Sequence, residues 1–380
     1  MPATKRKPAV IDADGHILEP RDLWEKRVPA KFRDRTLKVV WNEKAQLEQA
    51  MLEGVFIQKA SVTNGIARQP MWRRADPRGW RWEDLPPAGL DPKARVAELD
   101  REGIDKAVLY PSIGLVLGGI QDTEHAIACC RAYNDWLAEF CSVAPDRLIG
   151  VGALPMQDPE ASVGEARRAV EELGMRGFFV RPNAYNGRFM HDPVFDPLWD
   201  TVQGLGVPVG LHPSGTIDSL GAPQVYKPVW GDQFYYVGKP MHFLVDDVMG
   251  LVMMMGTGVL ERFPKLKLIV LESGGGWLPH WLDKMDHWFE VVAASVKHLT
   301  LKPSEYVQRQ VWVSFDPDEK TLPMVVQYAG DDRLIWASDY PHMDVMSPSV
   351  TEELYEHLEG MKKSSQIKIL GKNAQEVYGI

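Results

Sequence analysis

Residues 11–20 read IDADGHILEP, an apolar run that closes on acidic and imidazole side chains. Asp14 and His16 stand at its end, and Glu19 follows shortly after. Three later apolar runs also end in isolated polar groups: LHPSG with His212, LESGGG with Glu272, and WASDYPH with Asp339 and His342. Strand ends that each carry an oxygen or imidazole ligand predict a divalent metal at the mouth of a barrel.

Short runs rich in Val, Ile and Leu recur along the chain, each ended by Gly, Pro, Asp or Ser. The eight runs are Ala9–Asp14, Lys106–Ser112, Leu148–Pro155, Gly177–Asn183, Val207–Pro213, Lys267–Gly274, Val311–Pro317 and Arg333–Pro341. Continuous apolar runs of this kind are typical of parallel strands that are buried on both faces.

Segments with helical spacing lie between several of these runs. They are Glu124–Cys141, Asp158–Gly174, Asp192–Gly206 and Trp277–Leu299. The alternation of strands and helices predicts an α/β fold, a (β/α)8 TIM-like barrel. A doubly wound sheet is the alternative, but the glycine-rich dinucleotide turn expected after its first strand is absent here.

One region interrupts this alternation. Residues 20–90 are rich in Trp, Arg and Pro, and we interpret them as a cap inserted after the first strand of a single domain spanning residues 1–380. Loops at the mouth of such barrels generally carry binding function. Trp72, Trp80 and Trp82 are candidates to stack on a substrate, although the cap could equally be structural. A second aromatic insertion spans residues 214–241.

Composition narrows the class of protein. The net charge of −9 argues against a nucleic-acid partner, whose binding surface is usually basic. We expect no membrane span, because no uninterrupted apolar stretch of about 18 residues occurs. The 3 cysteines are too few for a disulfide framework, and no apolar signal-peptide core follows the basic N-terminus. A cytoplasmic enzyme with a small-molecule substrate is the expectation.

The polar strand ends form a plausible metal site. Strand C-termini converge on one face of such a barrel, and residues two apart in a strand point the same way. Asp14 and His16 can therefore share an ion with His212 and Asp339, while Glu272 completes the site or orients a water. Without thiolates, this set suits one or two ions of Zn, Mn or Fe. A bound ion would activate water or polarise a substrate oxygen.

Other polar residues are secondary candidates. His342 could orient Asp339, bind substrate or act in catalysis. Glu19 could be a further metal ligand or could cap a loop. Arg181 follows the fourth run, where its guanidinium could grip a substrate carboxylate or pair with a barrel carboxylate. His242, after the second insertion, is a weaker candidate for substrate contact.

Further motifs are spread along the chain. They are LDREGIDKAVLYPS, PDRLIGVGALPMQDP, GMRGFFVRPN, GLHPSG, ESGGGWLP, ASDYPH and KILGKNAQEVYG. With IDADGHILEP, they resemble the amidohydrolase superfamily, in the branch of aminocarboxymuconate-semialdehyde decarboxylase and related aromatic-acid decarboxylases. The resemblance implies a TIM-like metal barrel, a catalytic aspartate at Asp339 and often a homodimer.

The chain departs from the family pattern at three positions. The usual His-x-His motif appears as Asp14-x-His16, and a position that often holds a catalytic histidine is Glu272. Arg181 lies where two-metal hydrolases carry a bridging lysine, so a carbamylated lysine is excluded there. A second metal would need carboxylates instead, such as Glu19 or Glu272, with His342.

Three functional hypotheses follow. The first is a metal-dependent hydrolase or non-oxidative decarboxylase of a small carboxylate-bearing substrate, with Asp339 or Glu272 moving the proton. The second is a dinuclear non-haem iron monooxygenase, because the departures enrich the site in carboxylates, as in di-iron proteins. The third is a non-catalytic subunit of a hetero-oligomer with a paralogue, against which the retained Asp339 and His212 argue.

Overall fold

The computed structural model describes residues 8–57, 62–65, 78–214, 239–342 and 349–380. Trp72 and most of the second predicted insertion lie outside the described residues. No helix in the described ranges is long and apolar enough to cross a membrane.

All eight predicted runs form parallel strands. Together with three antiparallel strands of the cap, β2 to β4, the described strands are β1 (Ile11–Ile17), β2 (Lys38–Asn42), β3 (Leu47–Leu52), β4 (Val55–Phe56), β5 (Lys106–Pro111), β6 (Leu148–Gly150), β7 (Gly152–Ala153), β8 (Phe178–Val180), β9 (Pro208–Leu211), β10 (Lys267–Val270), β11 (Val311–Phe315) and β12 (Leu334–Trp336). One parallel sheet has the order β1-β5-β6 and the other runs from β7 through β12 in sequence. The third predicted run supplies both β6 and β7.

The two sheets follow one another around a TIM-like barrel. Among the described residues, no strand ladder joins β12 to β1. β1 instead bonds the segment that follows β12, where His16 N donates to Tyr340 O at 2.7 Å and Asp339 N donates to Asp14 O at 2.9 Å. These bonds bring the first and last polar strand ends together.

Helices connect most of the strands. They are α1 (Leu23–Arg27), α2 (Pro87–Leu90), α3 (Pro92–Glu102), α4 (Thr123–Cys141), α5 (Pro159–Glu171), α6 (Asp196–Leu205), α7 (Lys239–Gly256), α8 (Val259–Arg262), α9 (Leu278–Val291), α10 (Pro303–Gln310), α11 (Leu322–Ala329), α12 (Val350–Leu358), α13 (Lys363–Ile367) and α14 (Asn373–Tyr378). The Asp158 side chain caps α5 by accepting from Ala161 N at 3.0 Å.

The helix predicted over Trp277–Leu299 ends earlier than expected. The backbone leaves helical geometry at Val292, where ψ is 24°, and a short 3-10 turn follows. Consecutive β-branched valines are weak helix formers, which accounts for the early end.

The predicted cap contains more regular structure than its sequence indicates. Within residues 20–90, β2, β3 and β4 form a small antiparallel sheet. The cap is tied to β1 by Leu18 N, which donates to Gly89 O at 2.7 Å.

A pair of tyrosines fills the barrel beneath the strand ends. Tyr110 on β5 and Tyr378 on α14 are buried, and their hydroxyls lie 2.8 Å apart. Tyr378 also donates to Ala13 O at 3.0 Å. A side chain at Gly210 would meet the Tyr110 hydroxyl at 2.9 Å, so β9 needs a glycine here. This packing supports β1 from below.

Candidate metal centre and active site

Five predicted residues converge on one point at the barrel mouth. His16 Nε2 lies 3.5 Å from Asp14 Oδ1, 3.5 Å from Glu272 Oε1 and 3.3 Å from Asp339 Oδ1. His212 Nε2 lies 3.3 Å from the same His16 nitrogen. The strand ends of β1, β9, β10 and β12 thus deliver two imidazoles and three carboxylates to one place.

The hydrogen bonds of the two histidines determine their tautomers. His16 Nδ1 lies 2.7 Å from Pro111 O, and His212 Nδ1 lies 2.8 Å from Pro213 O. A carbonyl only accepts, so each Nδ1 carries the hydrogen and each Nε2 of the neutral ring presents a lone pair. The two Nε2 atoms therefore cannot bond each other, but both can bind a cation between them.

The Asp14 carboxylate reinforces this conclusion. It is fully buried, and neither oxygen has a hydrogen-bond partner among the described residues. Burial, then the charges of Glu272 and Asp339, raise the pKa of Asp14 well above its usual range. Burial and the charge of His342 hold the pKa of His16 well below its usual range. The buried Asp14 carboxylate, facing imidazole lone pairs, fits a divalent cation.

The backbone is strained at two of these positions. Glu272 has φ 48° and Asp339 has φ 54°, both in the left-handed region that such residues rarely adopt. Strain of this kind costs about 1–3 kcal/mol per residue and clusters at functional sites. Here the strained turns immediately follow β10 and β12 and aim both carboxylates at His16.

His342 forms an ion pair beside the centre. Its Nδ1 lies 2.6 Å from Asp339 Oδ1 and 3.7 Å from Glu272 Oε1. Its ring stacks on His16 with centroids 3.9 Å apart. Burial alone would lower the pKa of His342, but the charge and hydrogen bond of Asp339, with Glu272, raise it to about 10. The Asp339 carboxylate therefore places a hydrogen on His342 Nδ1.

Ser112 contacts the other side of His342, and sequence analysis missed it. Its Oγ lies 3.0 Å from His342 Nε2. Ser112 follows β5 at a strand end, which is the signal that would have identified it. The chain Ser112–His342–Asp339 links the edge of the site to its centre.

A second cluster of buried polar side chains lies around α7. Arg181, which follows β8, is buried. The pKa of His212 is lowered mainly by the burial of His212 itself, and the charges of His342 and Arg181 lower it further. Ser273 Oγ donates to Asp247 Oδ2 at 2.9 Å, and His242 Nε2 lies 3.2 Å from Asp246 Oδ2. The two adjacent aspartates interrupt an apolar helix, a signal that sequence analysis did not use.

The structure gives Glu19 a different role from the predicted metal ligand. Its carboxylate is buried and accepts from Gly114 N at 2.8 Å and Ile113 N at 3.2 Å. It belongs to neither group of potential metal ligands among the described residues. Trp82, predicted to contact substrate, is also buried, and its indole donates to Glu19 O at 3.0 Å. Trp82 thus joins the cap to the segment after β1, and Glu19 joins that segment to the turn after β5.

The sequence pattern of the Amidohydrolase family matches residues 11–380. The chain belongs to this family. It is a metal-dependent enzyme with the TIM-like fold that the strand pattern predicts.

Two curated relatives are decarboxylases. A 2-amino-3-carboxymuconate-6-semialdehyde decarboxylase from Dictyostelium discoideum is 30% identical over 294 residues, covering 76% of this chain and 77% of that protein. A gamma-resorcylate decarboxylase from a Polaromonas species is 28% identical over 273 residues, covering 70% of this chain and 81% of the relative.

Solved structures show the same fold. An amidohydrolase from Mycobacterium avium subsp. paratuberculosis matches with a TM-score of 0.81 at 24% identity, covering 98% of this chain and 100% of that one. The 5-carboxyvanillate decarboxylase of Novosphingobium aromaticivorans, solved with manganese and a nitrobenzoic acid, matches with a TM-score of 0.71 at 21% identity. That match covers 99% of this chain and 97% of the other.

Proposed function

We propose that this amidohydrolase is a non-oxidative decarboxylase of a small aromatic or unsaturated carboxylic acid. The observation that carries the proposal is the ion pair of Asp339 and His342, 2.6 Å apart, beside a cluster of metal-type donors. A protonated acid beside a cation site matches what decarboxylation needs. The decarboxylases among the curated relatives support the same chemistry.

We assign Asp14, His16, His212, Glu272 and Asp339 as the ligand set. His16 Nε2 is common to both groups of potential ligands, so we expect one ion rather than two. When bound, a divalent metal polarises a substrate oxygen and stabilises negative charge that develops during the reaction. Glu19 is left out of this set because backbone amides already occupy its oxygens.

The protein groups around the centre handle the proton and the substrate. His342 holds a proton at Nδ1 against Asp339 Oδ1, which lies 3.3 Å from His16 Nε2. That pair delivers a proton to the substrate carbon, the bond to the carboxylate then breaks, and carbon dioxide leaves. The electron pair of that bond returns to the substrate, and solvent reprotonates the ion pair. We assign the buried Arg181 guanidinium to a second anionic group of the substrate.

The alternatives receive less support. The described donors converge on one point, and the reported relatives are decarboxylases, so neither observation favours a di-iron monooxygenase. A complete donor set also disfavours a non-catalytic subunit. Hydrolysis would use the same residues with a water as nucleophile, and the substrate assay separates it from decarboxylation.

We also propose a cytoplasmic homodimer. All three cysteines are buried and unpaired, as expected in a reducing compartment. Helices α9 and α11 pack together and expose apolar side chains, with Trp288 55% and Tyr328 57% accessible. Large exposed apolar groups often mark contacts between subunits. Light scattering after gel filtration tests the dimer.

Metal content and carbon dioxide release test the function. The protein is purified without added metal and analysed for metals. It is then stripped and reloaded with Mn, Zn or Fe(II). Each form is assayed against hydroxybenzoic and unsaturated dicarboxylic acids, with Asp339→Asn as control. We expect about one ion per chain and metal-dependent carbon dioxide release. Two irons per chain with oxygen consumption would replace this proposal with the monooxygenase.

A further inference from the structure

Buried side chains reinforce the junction between β1 and the segment after β12, where two backbone hydrogen bonds stand in place of a strand ladder. Asp12 on β1 is 1% exposed, and its two oxygens accept from Ser338 N at 2.9 Å and Ser338 Oγ at 2.7 Å. Ser338 directly precedes Asp339. The junction therefore lies next to the proposed ligands from both strands.

Arg95 on α3 completes this junction. It is 1% exposed, and its Nη1 donates to His16 O at 3.0 Å and to Tyr340 O at 3.2 Å. Its Nη2 lies 3.9 Å from Asp12 Oδ2. Nη1 thus bonds both chain segments while Nη2 faces Asp12, and a single lysine ammonium cannot occupy both nitrogen positions of this planar fork.

The two carbonyls that Arg95 holds belong to the ligand segments. One is the carbonyl of His16, and the other follows Asp339, whose backbone is in the left-handed region at φ 54°. A strained residue persists only where its surroundings over-determine it. Arg95 bonds the carbonyl of the residue after Asp339, and its bond to His16 O ties that segment to β1.

Gly15 shows that β1 is shaped around this guanidinium. A Cβ at Gly15 would lie 2.5 Å from Arg95 Nη2 and 2.6 Å from Asp12 Oδ2. Both distances are too short for real contacts. The residue between the ligands Asp14 and His16 is therefore a glycine because Arg95 and Asp12 together occupy the space of a side chain.

We propose that Arg95 is a positioning residue that sets the spacing between the β1 ligands and Asp339, and so sets the metal affinity. The inference rests on the ligand set proposed above. It does not depend on the substrate or on decarboxylation.

The test compares Arg95→Lys with the wild type by competition for Mn(II) and Zn(II) against a chromogenic chelator. Groups that orient metal ligands typically contribute about 10- to 100-fold to affinity, and we expect a loss of that size. Arg147→Lys is the matched control. Arg147 also donates to backbone carbonyls, to Ile104 O at 2.9 Å and to Asp105 O, ahead of β5 and β6. It should lose stability without losing metal affinity.

Gly15→Ala is the second variant. It keeps Arg95 but displaces the guanidinium and the neighbouring Asp12 carboxylate, and we expect a similar loss of affinity. If Arg95→Lys does not fold, Gly15→Ala still tests the positioning role of Arg95. Wild-type metal affinity in a folded variant of either kind would overturn the role of Arg95. A wild type that binds no metal would instead refute the ligand set. Chemical unfolding of the metal-free variants measures their stability, so that a loss of metal affinity is distinguished from a loss of stability.

Discussion

Replacing Asp14 by asparagine should have opposite effects on the metal-free and metal-loaded protein. Asp14 is fully buried, and its oxygens have no hydrogen-bond partner among the described residues. Burial and the neighbouring carboxylates raise its pKa well above the usual value of 3.8. Without metal, the folded protein must therefore protonate this group or bury its charge.

The size of the effect follows from linkage. Protonating a carboxyl with an unfolded pKa of 3.8 at pH 7 costs at most about 4 kcal/mol. Asp14→Asn removes that cost, but burying the asparagine amide without hydrogen-bond partners costs about 1–3 kcal/mol. We expect metal-free Asp14→Asn to be more stable than wild type by about 1–3 kcal/mol at pH 7. Because its folded pKa is raised, wild type should lose stability as pH rises above 3.8, and the variant should lose less.

Urea unfolding of chelator-treated protein measures the stability of the metal-free form. Metal competition measures the metal affinity, which we expect Asp14→Asn to lower. Asp247→Asn is the control. It removes another buried carboxyl whose pKa is raised by burial, but one held by Ser273 outside the ligand set. The ligand assignment of Asp14 is refuted if the metal-free variant is less stable and metal affinity is unchanged.

Three further predictions concern single side chains. Asp339→Asn should lower kcat by about 10²- to 10⁴-fold, the usual contribution of a positioned acid, while circular dichroism stays unchanged; near-normal turnover would remove Asp339 from the mechanism. Ser112→Ala should lower kcat more than it raises KM and shift the pH–rate profile, because Ser112 Oγ orients His342 from 3.0 Å. Ser112→Thr should restore both, and the similarly shaped Ser112→Val should not. Burial raises the pKa of Glu19 from 4.5 to about 7, so wild type should lose up to about 3 kcal/mol of stability as pH rises from 4.5 to about 7. Glu19→Gln should flatten that dependence in urea titrations at several pH values, and an unchanged slope would contradict the assignment.

The strand pattern determined the fold and most of the candidate metal centre. Apolar runs ending in Asp14, His16, His212, Glu272 and Asp339 could be placed together because a parallel barrel brings all its strand ends to one face. The periodicity also placed α4 and α5, whose caps and apolar spacing are local. The strands and helices depend on residues close in sequence, and the barrel topology then fixes where the strand ends meet, which is why these features could be predicted.

Tertiary structure alone decided how those groups are held. Glu19 lies near the ligands in sequence, but the amides of Ile113 and Gly114, about ninety residues away, occupy its carboxylate. The contact of Arg95 with Tyr340 spans 245 positions. Such contacts depend on how helices and loops pack around the barrel, and no local pattern records that packing. The sequence therefore determined which groups reach the mouth, and the packing of α3, the cap and the last loop decided which of them face the centre.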